Sequence, residues 1–156
     1  MIGNEPSRDF LLKYLESRAW YAAVAAHALA ELQDRRGAAA LLKIMLDPAD
    51  RQLGSIAGRL AAEFGAAAID GLCDSASHPD VEIRRRAFVG LGDLCDSRPL
   101  KPEGRRAAEV LAERLAIEPD SQLRNHIEIT LKIIPPAGGK RLGGVGIERK
   151  TGDPKS

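Results

Sequence analysis

The chain has few aromatic residues and few cysteines, and both shortages limit what it can be. Aromatic residues make up 4% of the 156 residues, so a core must be built from Ala, Leu, Ile and Val. Two cysteines, Cys73 and Cys95, do not make a disulfide framework, and such lone thiols suit a reducing cytosol. An acid follows each of them (Asp74 and Asp96), which would raise the pKa of a thiol, so we interpret both as core residues rather than nucleophiles.

Long apolar runs and a strong net charge are missing as well. The longest weakly apolar stretch, residues 19–30, is interrupted by His27 and is shorter than the roughly 20 residues that span a bilayer. Charged residues occur throughout residues 1–15, unlike a signal peptide. The net charge of +1 gives no field that would draw the chain to nucleic acid or anionic lipid. We therefore predict a cytoplasmic protein that does not bind membranes.

The apolar residues recur at helical spacing, and no Val/Ile/Thr alternation is long enough to predict a strand. Proline and glycine separate the helical segments, as at Asp47-Pro48, because the residue before proline disfavours helical geometry. We expect Arg35, Arg36 and Gly37 to close the second helix. The predicted helices span residues 7–16, 19–35, 38–46, 49–63, 66–75, 80–95, 103–117 and 120–134.

The sequence repeats itself at a nearly constant interval. An apolar residue or Cys followed by an acid ends one helix, and an Ala/Leu-rich helix follows. The acids are Glu16, Asp47, Asp74 and Glu118. The apolar rungs of the following helices are Ala22/Ala25/Leu29, Leu53/Ile56/Leu60, Arg84/Ala87/Leu91 and Arg124/Ile127/Leu131, offset by 31, 31 and 40 residues. A period in this range predicts stacked helical hairpins, an α-solenoid over residues 7–134. The Gly-rich residues 135–156, with a net charge of +3, are predicted to be a flexible tail.

Residues 72–94 carry the clearest repeat phrase, Leu-Cys-Asp, then His-Pro-Asp, then Ile-Arg-Arg-Arg-Ala and Leu-Gly-Asp-Leu. This phrase resembles HEAT-like repeats, in particular the subtype found in phycobilisome lyases. The resemblance implies an all-α, right-handed α-solenoid of about four hairpins, with the even-numbered helices lining the concave face. It also implies that an arginine reaches an acid at a neighbouring turn. Arg84 and Arg124 fit that role, with Asp74, Asp47 or Glu118 as partners, whereas the first two hairpins have Ala22 and Leu53 in its place.

No catalytic, cofactor-binding or metal-binding constellation stands out, so we predict a non-catalytic module that binds another protein: an adaptor, a neutraliser or an assembly subunit. The candidate partner-binding residues are Tyr21, His27, Gln52, Arg59, Arg85, Arg86, Asn125, Glu128 and Lys132. A first alternative is nucleic-acid or phosphate binding through Arg86, Arg106, Arg124 and the basic tail. A second is a chromophore-lyase-like subunit, and self-association is also open.

Trp20 and Tyr21 are adjacent, so at most one of them can point fully inward. We expect one to lie in the core and the other under the N-terminal helix.

Overall fold

The computed structural model describes residues 5–134, which form eight α-helices and no strand. The helices are α1 Glu5–Glu16, α2 Ala22–Glu31, α3 Arg35–Met45, α4 Leu53–Ala62, α5 Ile69–Ser75, α6 Val81–Cys95, α7 Pro102–Ile117 and α8 Ser121–Ile133. A single 3₁₀ turn, Gly65–Ala67, precedes α5. The all-α prediction is confirmed for this part of the chain, and the predicted tail, 135–156, lies outside the described residues. None of the described helices is both long and apolar enough to cross a membrane.

Aspartates begin three of the helices. The Asp80 carboxylate accepts hydrogen bonds from the amides of Glu82 and Ile83, and Asp120 accepts one from Leu123 in the same way. Such caps satisfy amides that have no partner inside the helix. The third aspartate cap, Asp34, corrects a prediction.

We predicted that Arg35, Arg36 and Gly37 close the second helix. In the structure they instead begin the third helix. The helix α2 ends at Glu31. The residue that takes the left-handed conformation after it is Gln33, with φ of 54°, and not Gly37. Asp34 then accepts a hydrogen bond from the Arg36 amide and starts α3. The cap outweighs the basic and glycine signals because it satisfies orphan backbone groups directly.

The helices pack in two layers. Consecutive helices pair as α1/α2, α3/α4, α5/α6 and α7/α8, and each even-numbered helix also contacts the next even-numbered one. In the other layer α1 contacts α3 and α5 contacts α7. The buried core of the described residues consists mainly of Ala, Leu and Ile, as the composition predicts, together with Phe88, Met45 and Cys95. Valine, which was also expected in the core, is absent from this buried cluster.

Equivalent positions in the four even-numbered helices are identified by their burial. Ala26, Ala57, Ala87 and Ile127 are all at most 1% exposed and are offset by 31, 30 and 40 residues. The predicted offset of 31 between the second and third hairpins is therefore wrong by one residue. Ile56, which was assigned to the core rung, is 41% exposed, and the neighbouring Ala57 is buried in its place.

Helices α4 and α6 approach each other closely through glycines. A Cβ atom on Gly58 would clash with the Arg86 carbonyl oxygen, and one on Gly90 would lie 2.5 Å from the Gly58 carbonyl oxygen. Glycine is required at both positions because the two backbones touch. The two central helices of the even-numbered layer, α4 and α6, are therefore in direct backbone contact.

Candidate protein-binding surface

One side of the even-numbered helices faces away from the core and forms an open surface. The equivalent positions Val24, Ser55, Arg85 and Asn125 are exposed in all four helices. We call the surface built around this row the front face. Its further positions, at the same offsets, are Tyr21/Gln52/Glu82/Gln122, Ala28/Arg59/Val89/Ile129, Glu31/Ala62/Gly92/Lys132 and Leu32/Glu63/Asp93/Ile133.

Ion pairs cross between neighbouring helices near this surface. His27 Nδ1 lies 2.6 Å from a carboxylate oxygen of Glu63, and Arg59 Nε lies 3.3 Å from a carboxylate oxygen of Asp93. Burial raises the pKa of Asp93, and the neighbouring Asp96 adds to the rise while Arg59 opposes it. Such exposed pairs contribute about 0–1 kcal/mol each, so they set the charge pattern of the surface more than its stability.

Eight of the nine predicted partner-binding residues are exposed. Tyr21, Gln52, Arg59, Arg85, Asn125 and Lys132 lie on the front face. His27 and Glu128 lie beside it, at the positions that α4 and α6 fill with buried Gly58 and Phe88. The structure therefore brings six of the predicted residues onto one surface and leaves two at its margin.

Arg86 is the exception, and the expectation that it points outward is wrong. It is only 2% exposed, and its guanidinium reaches back from α6 to the loop between α3 and α4. There it donates hydrogen bonds to the carbonyl oxygens of Met45 at 3.1 Å, Asp47 at 2.8 Å and Asp50 at 2.8 Å. The side chain is committed to these carbonyls, so it cannot contact a partner or a phosphate.

The predicted arginine–acid contact between neighbouring hairpins exists at Arg84. Its Nε and Nη2 donate to the two carboxylate oxygens of Glu118 at 3.0 and 2.8 Å, and the Glu118 side chain is fully buried. Burial alone would raise the pKa of Glu118, but hydrogen bonds from Arg84, the Asp120 amide and Arg114 hold it below its ordinary value. The pair joins the last two hairpins, as a bidentate arginine–carboxylate contact can.

Arg124 plays a more local part than predicted. It donates to the carbonyl oxygens of Glu118 and Pro119, in its own loop, just as Arg84 donates to those of His78 and Pro79. No acid pairs with Arg124 among the contacts of the described residues. The arginine of this position thus satisfies loop carbonyls in both hairpins and reaches an acid in only one.

The equivalent position in α4 is Gly54, which explains the role of Arg86. A Cβ atom on Gly54 would lie 2.5 Å from Arg86 Nη1, so the missing side chain makes room for the guanidinium. The second hairpin therefore has no arginine at this position, and Arg86 from the next hairpin supplies hydrogen bonds to its loop. The sequence carries a signal for this exchange, the pairing of a glycine with an extra arginine two residues beyond the usual one.

Exposed apolar side chains lie at both ends of the front face. Val24 is 64% exposed at one end, and Ile129 and Ile133 are 54% and 63% exposed at the other. Contrary to expectation, neither neighbouring aromatic enters the core, because Trp20 is 80% and Tyr21 40% exposed. A row of polar side chains separates these two apolar ends.

The remaining reactive groups do not assemble into a site. Within residues 5–134, no group of three or more His, Cys, Asp and Glu side chains could hold a metal ion. Cys95 is buried, which raises its thiol pKa to about 11, and burial also raises the pKa of the half-buried Cys73. Both thiols are therefore protonated at neutral pH and poor nucleophiles. Arg106, which was also named for the phosphate-binding alternative, lies on α7 and pairs with Asp70 on α5.

Comparison of the chain with protein-family models, with curated proteins and with solved structures finds no match to any of them.

Proposed function

We propose that the protein is a non-catalytic binding module, an α-solenoid of four HEAT-like hairpins whose front face holds another protein. The observation that carries this proposal is the arrangement of the front face, with exposed apolar side chains at each end and polar, ion-paired side chains between them. Solvent-exposed Val24, Ile129 and Ile133 offer apolar surface whose burial against a protein partner would be favourable. The proposed partner is a protein bound through both apolar anchors and the polar centre.

The polar centre of the front face favours a protein over a phosphodiester backbone. Arg59 faces Asp93 and Arg85 lies 3.6 Å from Glu82, so each of these cations has an acid beside it. Nucleic-acid surfaces instead place unneutralised cations in rows. Mixed charges of this kind give specificity and register to a protein interface.

Whether the protein acts as an adaptor, a neutraliser or an assembly subunit depends on the identity of its partner. Affinity capture from native extract should therefore use three matched baits. These are the wild type, a front-face variant carrying Arg85→Glu and Ile129→Glu, and a control variant carrying Glu109→Lys. Arg85 and Ile129 lie on the front face, whereas Glu109 is exposed on α7 in the other layer.

A protein retained by the wild type and the control but lost from the front-face variant supports the proposal. Retention of the same proteins by all three baits contradicts it. Helical circular dichroism of each bait confirms that the substitutions leave the fold intact. Visible absorbance from a co-purified chromophore would support the chromophore-lyase alternative. Oligonucleotide affinity that falls steeply as the salt concentration rises would support the nucleic-acid alternative.

A further inference from the structure

A cavity opens at the edge of the protein where one hairpin is joined to the next. The connections between α2 and α3, between α4 and α5 and between α6 and α7 all contribute to its lining. Its volume is about 410 Å³, and pockets of roughly 300–1,000 Å³ accept small ligands. We call it the junction cavity. The residues around it include Arg35, Glu63, Phe64, Ala66, Lys101 and Glu103.

The charged residues of the junction cavity are balanced in sign. Arg35 and Lys101 are cationic and Glu63 and Glu103 are acidic, so the four formal charges cancel. A ligand with a single charge of either sign would meet two like charges as well as two opposite ones. A small molecule that carries both charges can place each of them beside a group of opposite sign. The lining therefore favours a zwitterion.

Three of these four charged side chains, those of Arg35, Lys101 and Glu103, form no ion pair with another described residue. By contrast, Arg36, the next residue along the chain, lies 2.6–3.7 Å from carboxylate oxygens of three acids. The carboxylate of Glu103 stands at the cavity wall, because a Cβ atom on Gly65 in the 3₁₀ turn would lie 3.0 Å from Glu103 Oε1. These charged groups are therefore available to a ligand.

Apolar side chains line the junction cavity beside the charged ones. Phe64 is half-buried, and its ring packs against α3, where a Cβ atom on Gly37 would lie 2.6 Å from Phe64 Cζ. The remaining apolar lining consists of the small side chains of Ala30, Ala66 and Ala67. An aliphatic or aromatic group of a ligand that packs here would lose its contact with water, which is favourable.

We propose that the junction cavity binds an α-amino acid with an apolar side chain. Arg35 and Lys101 donate hydrogen bonds to the carboxylate of the ligand. Glu103 accepts a hydrogen bond from its ammonium group, since Glu63 is already paired with a histidine. The apolar side chain of the ligand packs against Phe64. This site does not depend on the function proposed for the front face.

The binding should be weak, because Arg35 and Lys101 are exposed and water screens their charges. We expect a dissociation constant on the order of 0.1–1 mM for L-leucine, the probe chosen for the test. Two analogues keep the carbon skeleton of leucine and lack one charge each: isocaproate has no ammonium group, and isopentylamine has no carboxylate. Each analogue should bind at least about tenfold more weakly than L-leucine.

Amide NMR spectra of the full chain, recorded during titration with each compound, give both the affinity and the location of the site. The amide signals of residues 65–67 and of Lys101 should shift as L-leucine is added. The amide signal of Arg85, on the front face, should stay in place.

Single substitutions separate the junction cavity from the general charge of the surface. Arg35→Gln and Glu103→Gln should each weaken the binding of L-leucine by about fivefold or more. The matched controls are Arg51→Gln and Glu109→Gln, at exposed residues outside the cavity lining, and they should stay within about twofold of the wild type. Ala66→Phe, at an exposed position, should abolish binding because it fills the cavity without removing a charge.

Helical circular dichroism of each variant checks that the fold is intact. The absence of any shift at residues 65–67 with L-leucine overturns the proposal. Isocaproate that binds as tightly as L-leucine would show an anion site, and isopentylamine that does so would show a cation site, and either result overturns the zwitterion. The proposal also fails if Arg35→Gln and Glu103→Gln bind L-leucine as the wild type does, or if the two controls weaken it equally.

Discussion

Replacing Arg86 by methionine removes the guanidinium from the loop between α3 and α4 while keeping an aliphatic chain in its place. Three carbonyl oxygens lose their charged donor, and the bond to that of Met45 is buried while those to Asp47 and Asp50 are partly buried. A buried carbonyl left without a partner costs about 1–3 kcal/mol, and partly buried ones recover water at a smaller cost. We therefore expect Arg86→Met to lower the free energy of unfolding by about 2–4 kcal/mol.

The neighbouring residue provides a matched control on the same helix. Arg85 is half exposed, and its ion pair within the described residues is the 3.6 Å contact between its Nε and a carboxylate oxygen of Glu82, so Arg85→Met should cost less than about 0.5 kcal/mol. Urea denaturation followed by helical circular dichroism measures both values, provided that the urea dependence (the m-value) is the same for each variant. If the two variants differ from each other by less than about 0.5 kcal/mol, the buried role of Arg86 is refuted.

A second substitution tests whether Gly54 makes room for that guanidinium. Alanine usually stabilises a helix by about 0.5–1 kcal/mol over glycine. In the wild type, Gly54→Ala should instead destabilise, because its Cβ atom would lie 2.5 Å from Arg86 Nη1, which two hydrogen bonds hold in place. In the Arg86→Met background the cost should disappear, giving a coupling energy of at least about 1 kcal/mol. Additive effects would show that the two residues are independent.

Three further outcomes follow from the packing and the titrations. Gly58→Ala should lower the free energy of unfolding, measured by heat or urea, by at least about 2 kcal/mol, because its Cβ atom would displace the Arg86 carbonyl and separate α4 from α6. A loss of less than about 0.5 kcal/mol would contradict this contact. Glu118→Gln should cost about 2–4 kcal/mol at neutral pH, since it leaves Arg84 buried without its anion. The Glu118 pKa is lowered by folding, so its contribution is full above the ordinary value of 4.5 and is lost as the pH falls through the folded pKa. The difference between wild type and Glu118→Gln should shrink in that acidic range, and a constant difference would be inconsistent with the ion pair. Cys95, with a thiol pKa of about 11, should react with iodoacetamide at neutral pH far more slowly than a free thiol, and rapid labelling in the folded protein would contradict its burial.

Helical periodicity and turn residues predicted all eight helices, because amphipathic spacing and proline breaks are local signals. The errors lie where two local signals compete. At Asp34 the cap starts α3, although Arg35, Arg36 and Gly37 look like a helix end. The slip of one residue between the second and third repeats is another such error, since Ile56 and Ala57 are both apolar and only packing decides which is buried.

The contacts between hairpins were harder to predict. The HEAT-like resemblance implied that Arg84 reaches an acid at a neighbouring turn, with Asp74, Asp47 or Glu118 as candidates, and the acid in the structure is Glu118. Arg86 could not be assigned from its own surroundings, because an arginine next to other arginines usually points to solvent. Its burial depends on Gly54, which is 32 residues earlier in the chain and adjacent only after α4 and α6 pack. The exposure of both Trp20 and Tyr21 was likewise missed, because helical spacing within α2 does not determine how side chains just before the helix are packed.

Calorimetric titration of the protein captured by the wild type tests the proposed binding surface most directly. The purified partner should be titrated into the wild type, into the variant with Arg85→Glu and Ile129→Glu, and into Glu109→Lys, all shown to be folded. Binding at the front face predicts that the first variant loses at least about tenfold in affinity while Glu109→Lys stays within about twofold of the wild type. Equal affinities for all three proteins, or a loss confined to Glu109→Lys, would show that the partner binds elsewhere.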